Sequence, residues 1–216
     1  MSEAAATHND LTAHRDLTAP PGTATDQVES SPAGVSWQKL MMWIFIVSDG
    51  LLFAGLLCGY GFVRIASPIW PDRGEIFHLP MIGFMTFLLI SSSATMASAV
   101  AAAGRADRGA TVRFLLFTIL GGLGFMGMQA YEWSSLIQEG ARLDSNPWGV
   151  PAFSGAFFLI TGFHGSHVLS GIVLLAITAW RMAAGKSTAA GIELAGLYWH
   201  FVDLVWVFIF TLFYLI

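Results

Sequence analysis

Five long apolar runs dominate this chain, and the charges and helix breakers fall between them. The runs cover residues 40–65, 80–103, 111–137, 152–180 and 194–216. Crossing about 30 Å of hydrocarbon takes roughly 20 helical residues, so each run is long enough to span a bilayer. In lipid a backbone must satisfy its own hydrogen bonds, which predicts helices rather than open strands. The expected fold is therefore all-α: a polytopic membrane protein with five transmembrane helices, a domain covering 37–216. Composition agrees. Charged residues make up 11% of the 216 positions and mean hydropathy is +0.65, whereas a soluble domain carries about 25% charged residues.

Residues 1–36 read differently. They are rich in Ala, Thr, Ser, Asp and Pro and contain no apolar stretch of signal-peptide kind. The expectation is a disordered cytoplasmic tail, since such a segment buries too little surface to offset its ordering entropy. Orientation follows from the cations. With the tail inside, the inner side holds Arg15, Lys39, Arg105, Arg108, Arg113, Arg181 and Lys186, and the outer side holds Arg64, Arg73 and Arg142: seven against three. The excess predicts a cytoplasmic N-terminus and an external C-terminus. The net charge of −4 is scattered and gives no footprint for nucleic acid. A single cysteine, Cys58, rules out a disulfide within the chain and reads as a small buried hydrophobe.

Small residues mark where helices meet. Gly121, Gly122, Gly124 and Gly127 lie in the third span, Ser91–Ser93 with Ala94 in the second, and Gly162, Gly165 and Gly171 in the fourth. Such residues let backbones approach closely, which is ordinary packing in a membrane bundle.

The informative residues are the polar ones inside the spans. An acid or base at helix centre costs about 2.5–3.5 kcal/mol on insertion scales, so each needs a partner, a proton or water. Asp49 lies in the first span, Glu132 in the third, His164 and His167 in the fourth, and His200 and Asp203 in the fifth. Asp49 reads either as a proton-responsive group or as a structural acid bonded to a neighbouring helix. His164 and His167, three residues apart, share a helix face. With His200 and Asp203 they could begin a zinc, copper or iron site. The preferred reading is an interhelical polar network of Glu132, His164, His167, His200 and Asp203, with no metal ligated and no catalytic constellation.

Four stretches carry a resemblance: Ile44-Phe-Ile-Val-Ser-Asp-Gly-Leu-Leu-Phe-Ala-Gly55, Gly127-Met-Gln-Ala-Tyr-Glu-Trp133, Phe157-Phe-Leu-Ile-Thr-Gly-Phe-His-Gly-Ser-His-Val-Leu-Ser-Gly171 and Tyr198-Trp-His-Phe-Val-Asp-Leu-Val-Trp206. From Trp37 to Ile216 the chain resembles the cytochrome c oxidase subunit III family, in its short five-helix bacterial form. Two positions depart from the family pattern. Asp49 stands where the family usually has Glu, and Gly83-Phe84 with Met85-Thr86 replaces a frequent Asn-Thr pair.

The resemblance implies a subunit with no redox cofactor of its own, haem and copper being held by partner subunits. It implies direct packing on oxidase subunit I, membership of a complex with subunit II, a V-shaped 2+3 helix arrangement and phospholipid in its cleft. Asp49 would face that cleft, with Trp43, Phe53, Tyr60 and Arg64 as further candidates for lining it. The implied setting is the bacterial inner membrane, in a proton-pumping terminal oxidase that reduces oxygen. Alternatives are an accessory membrane protein of a nitric oxide reductase system and a small proton-coupled transporter. The absence of an internal repeat weighs against the transporter.

Overall fold

A computed structural model describes residues 36–216. The tail expected over residues 1–36 thus lies, except for Ser36, outside the described residues. Gln38–Ile216 forms one unit. The described chain is helical, with no strand among these residues. Five helices are long and apolar enough to cross a membrane: α1 (Trp37–Ala66), α3 (Leu79–Gly104), α4 (Arg108–Gln138), α5 (Pro151–Ala183) and α6 (Ala189–Phe210), the last continued by a π-helical turn at Thr211–Leu215. A four-residue helix, α2 (Arg73–Ile76), sits in the first connection.

Local chemistry sets the helix ends. Asp107 accepts from the Ala110 amide at 2.9 Å to open α4, and Thr188 accepts from the Gly191 amide at 3.2 Å to open α6. Pro80 and Pro151 occupy first-turn positions of α3 and α5, where a missing N–H costs nothing. These capped turns carry most helices a few residues past the hydropathy-defined spans.

The tightest pair is α3 with α4, and small residues are the reason. A Cβ built on Gly121 would meet the Ser92 Cβ at 2.7 Å, and one on Gly124 would meet a Leu88 methyl at 2.7 Å. α4 then packs on α5, α5 on α6, and α6 back on α3, partly because Gly196 faces Val100 and Met96. These four helices close a ring, and their packing does not by itself display the 2+3 grouping implied by the resemblance. The second span sits with the last three, and only α1 stands apart.

Gly127 and Gly165 have no neighbour within 4 Å of a built Cβ, so they are not seam residues within this chain. About 6% of the apolar core of α1 is buried, against 56% for the last helix. Ile44, Val47, Leu51, Phe62 and Ile65 of α1 are exposed.

What holds α1 to the ring is side chains. Near one end Lys39 Nζ lies 2.6 Å from Glu193 Oε1. Mid-helix, Phe53 packs on Phe163 with centroids 5.0 Å apart. Near the other end Tyr60 stacks on Phe213 at 4.0 Å, and the Arg64 guanidinium donates to the backbone oxygen of Ile216.

Gly185 ends the α5 turn with φ +71°, a left-handed conformation, and the Arg108 guanidinium lies 2.9 Å from where its Cβ would be. Gly185→Ala is expected to cost about 1–2 kcal/mol through backbone strain, read as a lower melting temperature of the chain in its complex. An unchanged melt would show that the turn relaxes freely.

Candidate functional site

The buried polar residues separate into three clusters on different seams. The single network expected from the sequence is not present.

The first cluster joins α1 to α5. Asp49, 9% exposed, places Oδ2 at 3.3 Å from His167 Nε2. The other ring nitrogen, Nδ1, lies 2.8 Å from the Phe163 carbonyl, which can only accept, so Nδ1 carries a hydrogen. Asp49 Oδ2 comes within ion-pair distance of Nε2 without the alignment of a hydrogen bond. Phe53 closes over the pair, its ring 5.3 Å from that of His167.

The second cluster joins α4 to the end of α6. Glu132, 4% exposed, accepts at Oε2 from the Gln129 amide and from the Tyr214 hydroxyl, both at 3.0 Å. Its Oε1 is buried without a hydrogen-bond partner. Gln129 precedes Glu132 by three residues on one helix, so its role was legible in principle. Tyr214 stands 82 residues away, and nothing in the pattern marked it.

The third cluster joins α6 to α3. His200 Nδ1 lies 2.6 Å from the Ser93 hydroxyl. Ser93 also stands near Asp203. Both Asp203 oxygens are buried without a hydrogen bond.

His164 joins none of these. It stacks on Trp206 at 5.3 Å and meets Phe125 edge-on at 5.9 Å, and neither ring nitrogen makes a hydrogen bond. Positions three apart differ by about 60° around a helix. Across this bundle that suffices to send His167 to α1 and His164 to the aromatic box. Among the described residues no three His, Cys, Asp or Glu side chains gather as a metal-binding set.

An apolar groove of about 430 Å³ runs between α1 and α6, lined on one side by Gly50, Phe53 and Leu57 and on the other by Phe201, Leu204 and Phe208. Of the four residues suggested for a lipid cleft, Phe53 alone lines it. Trp43 is exposed elsewhere on α1, and Tyr60 and Arg64 are engaged with Phe213 and Ile216. Cys58, expected to be buried, is exposed on this groove.

Five apolar helices, with acids and imidazoles tying their seams and one helix leaning outside the ring, define a polytopic membrane protein built to pack against other apolar surfaces. Comparison with known proteins makes this specific. The chain belongs to the cytochrome c oxidase subunit III family, whose model matches residues 14–216. It is 34% identical over 179 residues to cytochrome c oxidase subunit 3 of Bacillus sp. PS3, covering 82% of this chain and 84% of that relative. It is 36% identical over 181 residues to quinol oxidase subunit 3 of Bacillus spizizenii, covering 82% and 85%. Against cytochrome c oxidase subunit 3 of Thermostichus vulcanus it is 33% identical over 199 residues, covering 89% and 92%.

Proposed function

We propose that this chain is the accessory, non-redox subunit III of a proton-pumping haem–copper terminal oxidase in a bacterial inner membrane. The observation that carries the reading is the family match over nearly the whole chain, with relatives named as subunit 3 of cytochrome c oxidases and of quinol oxidases. Haem, copper and oxygen reduction would then belong to partner subunits. In this reading the chain packs directly on subunit I, assembles with subunit II, supports proton uptake and preserves subunit I during turnover.

The architecture is suited to that work. α1 presents a long exposed apolar face, which either lipid or a partner helix would cover. The groove between α1 and α6 has the section and apolarity for a phospholipid acyl chain. Asp49 and His167 stand beside it paired across α1 and α5, as ionisable groups at depth generally are. The orientation proposed is N-terminus inside and C-terminus outside. Among residues near helix ends, Lys39, Arg105, Arg108, Arg113, Arg181 and Lys186 then face the cytoplasm and Arg64, Arg73 and Arg142 the exterior.

Removing this chain from the purified complex tests the assignment. The haem spectrum should persist while activity decays faster over successive turnovers. Loss of haem or copper along with the chain would overturn the non-redox reading.

A further inference from the structure

At the end of the ring where the α1–α3 and α4–α5 connections lie, a small pocket of about 10 Å³ opens beside Glu132. That is about the least volume that admits one water molecule. Its walls are apolar: Ile76, Phe77, Met81 and Leu136. Its polar lining is His78, Tyr131, Ser135 and Glu132 itself. His78, in the connection between two spans, and Tyr131 are exposed, so the pocket reaches the protein surface at this end of the bundle. At its inner end stands a carboxyl that is more than nine-tenths buried and has one oxygen, Oε1, unpartnered. A group of that kind, with room for a single water between it and bulk solvent, is placed to exchange protons.

We propose that Glu132 is a proton-exchanging carboxyl, reached from the aqueous surface through the one-water pocket beneath His78. The step is simple. Hydronium entering the pocket forms an O–H bond at Oε1 and is left as water; the reverse breaks that bond and returns hydronium to the surface. No other atom changes hands.

The geometry behind Glu132 makes the site a store for one proton, with no onward conduit. Oε2 is held by Gln129 and Tyr214. The Tyr214 ring is closed in by Phe77, Phe157 and Trp206, with centroids 4.6, 6.2 and 6.2 Å away, so no polar relay continues inward along it. The titratable groups facing the site are His78 and Tyr131 at the mouth and Tyr214 behind. α5 offers only apolar Phe157 to the Tyr214 side, and Arg73 and Glu75 of the nearby short helix do not line the pocket. Nothing here depends on which electron donor the complex uses, or on which side of the membrane this end faces.

Infrared spectra of the full membrane complex, recorded after transfer from H₂O to D₂O, test the proposal. Glu132→Gln should delete one carboxyl band, and in the unmodified protein that band should shift as the proton exchanges. Should Glu132→Gln fail to assemble, Glu132→Asp, which moves the same band, makes the assignment. Ser135→Leu leaves Glu132 and its two hydrogen bonds in place but fills the pocket mouth. Exchange would then wait on local opening and slow by about tenfold or more. A Glu132 band that does not shift in D₂O, or one that shifts at the unmodified rate in Ser135→Leu, overturns the proposal.

Discussion

Gly122→Leu is expected to abolish stable incorporation of this chain, because that position holds space for the ring that joins three helices. Trp199 is fully buried, and its indole N–H donates to Ser92 Oγ on α3 at 3.1 Å. Its ring edge would lie 2.6 Å from a Cβ on Gly122 of α4, and another ring carbon 3.0 Å from a Cβ on Gly171 of α5. The indole fits only because both glycines lack a side chain. Leucine at 122 would also press on Ile172, whose Cγ1 is 3.1 Å from the built Cβ.

Overpacking of this kind costs about 1–3 kcal/mol. Displacing the indole would strand a buried N–H for about 1–3 kcal/mol more. The measurement is the fraction of chain retained in the complex after detergent extraction with graded heating. Gly127→Leu is the control, because no heavy atom lies within 4 Å of its built Cβ. Gly122→Ala should fall between Gly122→Leu and the unmodified protein, since it adds a single methyl against the indole. Equal retention of Gly122→Leu and Gly127→Leu would remove Trp199 as the keystone.

Trp199 also shows where sequence reading stopped. The five spans were legible because hydrocarbon demands uninterrupted apolar length, and no other feature of a chain mimics that. The glycines of the third and fourth spans were legible as seam residues in general. Which side chain fills a seam depends on how each helix is rotated about its axis. Exposed and buried faces here are equally apolar, so the pattern carries little rotational information.

The same limit dispersed the polar network. His164 and His167 looked alike on paper, yet one sits between Phe125 and Trp206 while the other meets an acid on α1. Glu132 was legible as a buried acid needing partners, but Tyr214 lies in the closing turn of the last helix and became its partner only through the fold. The packing of α3 on α4 was not legible for a related reason. The small residues of the second span were visible, but the partner they admit, α4, was not.

The Asp49–His167 pair should govern whether α1 stays on the ring. α1 has little backbone contact with its neighbours, so this buried polar contact carries a large share of its attachment. His167→Leu leaves the Asp49 carboxyl buried beside apolar Phe53 without its imidazole neighbour. Removing one member of a buried pair costs about 3–5 kcal/mol. Asp49→Leu should be harmful for the reciprocal reason.

The double variant is expected near the unmodified protein, since replacing a whole buried pair by apolar groups is often neutral. Asp49→Asn should also be mild, because it removes the buried acid while its amide can still donate to Nε2. Cys58, the only cysteine, faces the groove that α1 closes, so its alkylation rate in the intact membrane complex reports on detachment. Both single leucine variants should label faster, and the double variant and Asp49→Asn at close to the original rate. If the two single effects are small and simply add, the pair is not what seats α1, and the ends at Lys39 and Arg64 must hold it instead.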